Sequence, residues 1–416
     1  MSEIEVPRRA FLRGAAAATA LSYSRVYGAN ERLQIGLIGC GERGRFDMGN
    51  HIKSGNVDVV ALCDIWGDNI AAGRKAIDAA REAPESKGAS TAAGAAAKEF
   101  GDHRRLLDLK EIDAAVIGVP DHWHAPIAID ALNAGKDVYV EKPLTLKIEE
   151  GPAIVKAARV NHRICQVGMQ QRSGKHYLEA KREYMDTGKL GKVTLARTWW
   201  HGNTYHLRKA PESLQTQPRN LDWARFLGPV RWRDWDPQQY WNWRAYLDFG
   251  GGQVTDLFTH WIDVVHMFMG KDVPISGVAA GGVYNYKDGR TAPDTINVLL
   301  EYPSQFTATF EATLVPGITG EGVEICGTEG RLLIDRQHYE FHPPGKKAEA
   351  TVVKAAGSLD MDHVGNFLEC VKSRKLPNGD VLIGHRSAQA SHLGNLSYEQ
   401  KRRIDFDPVR EEILPF

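Results

Sequence analysis

Three groups of residues have types and spacings that could do chemistry together. The first is Gly39-Cys40-Gly41-Glu42-Arg43-Gly44, which follows the apolar run Leu33-Gln34-Ile35-Gly36-Leu37-Ile38. In such a turn Gly39 allows the tight bend, Gly41 lets the backbone approach a pyrophosphate, and Gly44 lets a helix pack close to the strand. A helix opening at Glu42 and Arg43 would offer unpaired N–H groups and a partial positive charge to phosphates. Asp64 ends the next apolar run, about twenty residues beyond the turn, where a carboxylate accepts hydrogen bonds from ribose hydroxyls. It would repel a 2′-phosphate, which favours NAD over NADP.

The second group is Glu141-Lys142-Pro143. Pro143 fixes its own φ and biases Lys142 towards an extended backbone. A lysine held at a strand end beside a nicotinamide could bond a substrate hydroxyl and stabilise a developing alkoxide. The plain alternative is a surface lysine paired with Glu141. The third group is Asp256-x-x-x-His260, which follows Gly250-Gly251-Gly252 and opens the apolar run Trp261 to Met269. Residues four apart share a helix face, so Asp256 could orient His260. A hydroxyl-bearing carbon gives up hydride only as its O–H proton leaves, and histidine is a suitable base near neutral pH. Taken alone, such a histidine is as readily a satisfied core residue.

His122-Trp123-His124 has no third ligand at metal spacing, and no H-E-x-x-H occurs, so no metal is expected. That segment follows Pro120-Asp121 and is expected to pack on the cofactor, His124 included. A further aromatic set, Trp199, Trp200, His201, Tyr205, Tyr240, Trp241, Trp243 and Arg244, is a candidate carbohydrate surface. Aromatic faces stack on sugar C–H patches, while Arg and His bind hydroxyls. Core or interface packing is the competing explanation for each.

The elements that must position these groups can be read from the hydrophobic pattern. Ala114 to Val119 is continuously apolar, as in a parallel strand covered on both faces. Asp137 to Val140 and Ile164 to Gly168 read as further strands. Helices are expected at Asp68 to Arg81, Ala125 to Ala134 and Ile148 to Asn161, with a polar loop from Glu82 to Thr91. Strand–helix alternation argues a doubly wound parallel sheet, whose ligands bind beyond the C-terminal strand ends. Asp64, Pro120 and Glu141 all fall at such ends. From about Val193, strand-like runs follow one another, predicting a second α/β domain with a large, mostly antiparallel open sheet. A long insert, His201 to Gly252, interrupts it; loops of that length are usually functional. Helices at Met361 to Ser373 and Arg386 to Gln400 close the chain. The expected division is 1–30 as leader, 31–160 as nucleotide domain, 161–385 as substrate and oligomerisation domain, and 386–416 as C-terminal helix and tail.

The chain has 416 residues, enough for two domains, and its 52 Lys plus Arg balance 52 Asp plus Glu. No net field attracts nucleic acid or an anionic membrane. The five cysteines are scattered without a C-x-x-C pair, and Cys40 and Cys63 read as small buried residues. Arg8-Arg9 precedes a weakly hydrophobic, alanine-rich stretch, as in a twin-arginine export signal that delivers folded protein to the periplasm.

Together the motifs resemble the Gfo/Idh/MocA oxidoreductase family, over about Leu33 to Pro408. The resemblance rests on Gly39 to Gly44, Asp64, Pro120 to His124, Glu141-Lys142-Pro143 and Asp256-x-x-x-His260, in family order. It implies an N-terminal Rossmann domain and a C-terminal domain whose open sheet often forms the subunit interface of a homodimer or homotetramer. It implies Lys142, Asp256 and His260 as catalytic residues. Gln170 then matches a segment lining the cofactor, and Arg172 one lining the substrate; independently of the resemblance, His201 and Arg244 of the aromatic set are expected as further substrate contacts. The expected activity is oxidation or reduction of a secondary hydroxyl of a sugar, glycoside or cyclitol with NAD. Two alternatives stay open: an NAD-assisted glycoside-cleaving enzyme on the same fold, and a non-catalytic secreted carbohydrate-binding protein.

Overall fold

The computed structural model describes residues 32–83, 96–203, 208–270, 273–345 and 349–415. The expected export signal, most of the loop from Glu82 to Thr91, and Tyr205 lie outside the described residues.

Six strands, β1 (Leu33–Ile38), β2 (Val57–Cys63), β3 (Lys98–Phe100), β4 (Ala114–Ile117), β5 (Asp137–Val140) and β6 (Cys165–Val167), form a parallel sheet in the order β3-β2-β1-β4-β5-β6. Helices α1 (Glu42–Lys53), α2 (Gly67–Glu82), α3 (His103–Leu107), α4 (His124–Asn133) and α5 (Gly151–Val160) connect them. The winding direction reverses between β1 and β4, which opens a crevice at their C-terminal ends. Every residue of β4 and β5 is buried, because helices cover both faces of the sheet. The domain boundary expected after residue 160 is too early: β6 is still part of the parallel sheet. The β3 strand was hidden by its length and its polar start.

After a short helix, α6 (Lys175–Ala180), strand β7 (Val193–His201) opens the second unit. The insert that follows carries α7 (Trp223–Leu227) and α8 (Pro237–Trp241), and α9 (Thr259–Met269) comes after it. Strands β8 (Ser276–Gly282), β9 (Thr295–Tyr302), β10 (Phe306–Thr313), β11 (Gly320–Gly327), β12 (Gly330–Ile334), β13 (His338–His342) and β14 (Thr351–Lys354) come next. Helices α10 (Leu359–Ser373) and α11 (Val381–Gln400) and strands β15 (Ile404–Asp407) and β16 (Glu412–Ile413) end the chain. The sheet is mixed, in the order β14-β13-β12-β11-β7-β10-β9-β8-β15-β16, with β7 and β10 parallel and the other pairs antiparallel. Along β10 buried and half-buried residues alternate, so one face meets the core and the other does not.

The two C-terminal helices do not belong to the second unit alone. Val364, Phe367 and Leu368 of α10 join the core formed by Leu33, Ile35, Met48 and Tyr139 of the first sheet. The Phe367 ring lies 5.7 Å from Tyr139, edge to face. Helix α11 touches both sheets: a Cβ on Gly384 would strike Val167 of β6, and one on Gly394 would strike Val298 of β9. The expected division at 385/386 is therefore corrected; it falls inside a helix that joins the two halves. Replacing the fully buried Phe367 by alanine is expected to destabilise the protein by ~3–5 kcal/mol. Urea unfolding followed by tryptophan fluorescence measures this, and a loss under 1 kcal/mol contradicts the docking.

Candidate active site

A cavity of about 1030 Å³ lies along the C-terminal strand ends of the parallel sheet and reaches the second unit. Its floor is the glycine turn. Gly39 has φ +90°, a left-handed conformation that favours glycine. A Cβ on Gly41 would meet nothing within 4 Å, so the backbone there is open to the cavity. A Cβ on Gly44 would lie 1.9 Å from the Gly39 carbonyl oxygen, so this glycine serves packing and does not line the cavity. Gly41 caps α1 without a side-chain hydrogen bond, which leaves the first N–H groups for an anion. Glu42 and Arg43 line the cavity on the first turn of α1.

Asp64 stands at the end of β2. It accepts hydrogen bonds from Cys40 N at 2.7 Å and Trp66 N at 2.9 Å, and Asn69 Nδ2 lies 3.3 Å away. Burial outweighs these donors and pushes its carboxyl above the usual range. Asn69, on the first turn of α2, lines the cavity and also bonds Tyr240; no sequence motif marks it. Cys40 and Cys63 are both buried and free.

Pro120, Asp121, His124, Glu141, Lys142 and Gln170 line the middle of the cavity. His124 is clamped between two backbone carbonyls, with Nδ1 2.6 Å from Pro143 O and Nε2 2.8 Å from Val119 O. Glu141 Oε1 accepts from Arg43 Nη2 at 2.8 Å and Gln170 Nε2 at 3.2 Å. His122 turns the other way: its Nε2 meets Phe226 O at 2.7 Å and its ring packs on Phe249.

Lys142 reaches across to the second unit, where Nζ donates to Asp256 Oδ1 and to Asp256 O, each at 2.6 Å. Arg244 Nε lies 3.3 Å from the same Asp256 oxygen, and its guanidinium stacks 4.1 Å from the Trp243 ring. Val254–Phe258 wind as a π-helix before α9 begins. Despite the π turn, Asp256 serves both sides: it faces Lys142 and Arg244 across the cavity, and its charge also acts on His260 four residues on. His260, on the first turn of α9, lines the cavity with Trp200 6.1 Å away, and its buried Nδ1 has no hydrogen-bond partner among the described residues. Burial first, then the cations Lys142 and Arg336, hold its pKa well below 6.5, so the ring is neutral. Asp121 is pushed up to about 8 by burial and by Asp256.

Two expected substrate contacts are corrected. Arg172 does not line the cavity; its Nε donates to Asp263 Oδ1 on α9 at 2.8 Å, and Ser387 of α11 donates to the same carboxylate. Neither does His201: side chains alternate along β7, and it is Trp200 that lines the cavity. Tyr240, Trp241 and Trp243 do line it, on an insert with its own core of Trp223, Phe226 and Phe249. The insert is tied to the end of β2, where Asp222 N donates to Ile65 O at 2.9 Å and Gly67 N to Asn220 O at 3.1 Å. Arg336 and Asp360, both unforeseen, complete the wall.

If His260 is the base, its low pKa has a kinetic signature. The acidic limb of kcat/KM is expected well below pH 6.5, because the ring stays unprotonated until the pH falls far beneath that of a free histidine. An acidic limb centred near 6.5 contradicts the assignment.

Residues 33–169 match the model of an oxidoreductase family with an NAD-binding Rossmann fold, and residues 227–333 match the GFO/IDH/MocA C-terminal domain. Inositol 2-dehydrogenase of Salmonella typhimurium (strain LT2) is 29% identical over 182 residues, which are 43% of this chain and 48% of the relative. The chain thus spans about half the length of that relative. The scyllo-inositol 2-dehydrogenase (NAD(+)) of Bacillus subtilis (strain 168) is 24% identical over 297 residues, 66% of this chain and 72% of the relative. Levoglucosan dehydrogenase, solved with NADH and levoglucosan, shares the fold at TM-score 0.68 and 17% identity, over 90% of this chain and 99% of that one. Aldose-aldose oxidoreductase from Caulobacter crescentus does so at 0.67 and 18%, over 90% and 100%. With a glycine turn open to phosphates, an acid at the end of β2 and both family domains matched in order, the chain belongs to the Gfo/Idh/MocA oxidoreductase family and carries its NAD-binding Rossmann domain.

Proposed function

We propose that the protein is an NAD-dependent dehydrogenase acting on a secondary hydroxyl of a sugar, glycoside or cyclitol. The observation that carries this is the contact of Lys142, from the nucleotide half, with Asp256, from the second half, in a cavity that His260 also lines. NAD, when bound, supplies the hydride acceptor. The chain's own groups do the rest. The turn at Gly39 to Gly41 and the start of α1 would hold the pyrophosphate, and Asp64 with Asn69 would hold ribose hydroxyls. Neutral His260 takes the hydroxyl proton. The Lys142 ammonium, fixed by Asp256, stabilises the oxygen as it becomes negative. The inositol dehydrogenases among the relatives support a polyol or sugar as substrate. The test is absorbance of reduced nicotinamide with the purified protein, NAD and a panel of sugars, glycosides and cyclitols. No reduction with any of them, while NAD binds, overturns the proposal.

A second reading is kept because a glycosyl hydrolase family 109 protein of Shewanella sp. (strain MR-4) is 32% identical over 135 residues, 32% of this chain and 28% of the relative. On that reading the chain would cleave a glycoside with NAD needed but not consumed. Free sugar released from a nitrophenyl glycoside without added NAD would favour it.

We also propose that the chain is exported through its Arg8-Arg9 signal and self-associates through the open sheet face. Leu299 and Val278 stand on that face, 43% and 38% exposed, near Leu195 and Ala280. Cell fractionation of an Arg8→Lys, Arg9→Lys double variant tests the first, and light scattering of a Leu299→Lys variant tests the second. A periplasmic double variant, or a wild-type monomer, sinks the respective idea.

A further inference from the structure

We infer that Arg336 is a substrate-recognition residue and that the substrate is an acidic sugar, carrying a carboxylate or phosphate. This deepens the dehydrogenase reading above and rests on it. Arg336 lies in the turn between β12 and β13 and lines the cavity on the same side as His260. The turn is rigid: Asp335 Oδ1 accepts from Gln337 N at 2.7 Å, from His338 N at 2.8 Å and meets His338 Nδ1 at 2.9 Å. The guanidinium lies 4.7 Å above the Trp200 ring, which fixes its plane. That face of Trp200 is therefore occupied by the arginine and is closed to a sugar ring. The nearest carboxylate to Arg336 is Glu321 at 3.9 Å, at the limit of an ion pair, and among the described residues Arg336 makes no hydrogen bond. Asp360 faces it from α10, but lies 3.6 Å from Arg43. A planar, oriented fork of donors at a cavity wall matches a carboxylate or phosphate.

The charge around it points the same way. Lys142 and Arg244 share the one carboxylate of Asp256. Asp121, beside them, is neutral at pH 7, and so is His260. Lys142, Arg244, Arg43 and Arg336 then stand against Asp256, Glu141 and Asp360, so the reacting end carries one positive charge in excess, and only when Arg336 is counted. The oxidised nicotinamide ring is itself cationic. An anionic substrate balances this field and a neutral one does not.

The test is calorimetric titration of the NAD-loaded full-length protein with D-glucuronate, D-glucose 6-phosphate and D-glucose. At least one acidic sugar is expected to bind ~10–100-fold more tightly than glucose, the range of one charge-assisted hydrogen-bonded contact. The arm that wins separates carboxylate from phosphate. Arg336→Gln is expected to abolish the preference, and Arg336→Lys to keep part of it, while NAD affinity stays within about twofold as a check on folding. Equal affinities, no binding by either acid, or a preference that survives Arg336→Gln overturns the inference. The dehydrogenase reading is decided separately, by nicotinamide reduction.

Discussion

Lys142→Ala is expected to lower kcat by ~10²–10³, the usual effect of removing one donor aimed at a developing oxyanion. Three features make this a clean experiment. The lysine's Nζ is 2.6 Å from Asp256, so its position is fixed before substrate arrives. Asp256 does not lose all its counter-charge with the lysine, because Arg244 Nε stays 3.3 Å away. The nucleotide contacts, at Gly39, Gly41, Asp64 and the start of α1, do not involve the ammonium. NAD affinity is therefore expected to change less than about threefold. Lys142→Arg should restore little, since a planar fork cannot replace a compact ammonium at a 2.6 Å contact. Turnover within tenfold of wild type in Lys142→Ala would remove the lysine from the chemistry.

Gly44→Ala attacks the other half of the site by a different route. The new Cβ would lie 1.9 Å from the Gly39 carbonyl oxygen, and backbone cannot yield as a flexible side chain does. Gly118 also packs close, an added Cβ on it lying 2.8 Å from Gly44 Cα. Helix α1 must move away from the turn, and its N–H groups move with it. Overpacking of this kind destabilises by ~1–3 kcal/mol. Because the shift displaces the phosphate donors themselves, NAD affinity should fall by at least about tenfold, with Tm lowered as well. Gly41→Ala provides the contrast: its Cβ meets no protein atom within 4 Å. It is expected to fold normally and to weaken NAD by occupying the space of the pyrophosphate. Equal NAD affinity in wild type and Gly44→Ala would remove α1 from phosphate binding.

These two residues were legible in the sequence because each belongs to a short segment whose physics is local. A strand, a glycine turn, a helix and an acid at the next strand end can be recognised without knowing what surrounds them. Arg172 and His201 fail for the opposite reason. The partner of Arg172 is Asp263, 91 residues on. Whether Trp200 or His201 meets the cavity depends on the register of a strand whose neighbours, β10 and β11, come much later. Arg336 carries no local sign at all: it is one exposed-looking arginine in a hairpin turn. Strands β13 and β14 carry little apolar alternation, because β14 forms the sheet's edge and β13 beside it buries only Tyr339. The strands nearer the middle, such as β10, are apolar on alternate residues.

The return of α10 to the first sheet sets the order in which this molecule can be made. Leu33 and Ile35 are among the first described residues, yet the helix that covers their face begins at Leu359. During synthesis the nucleotide-binding half stays unroofed until the chain has been made past Leu359. Its contacts span most of the sequence, so loop closure comes before reward and the two halves mature together. A fragment cut after the sixth parallel strand would display Tyr139 and its apolar neighbours to solvent, and would aggregate instead of binding a nucleotide.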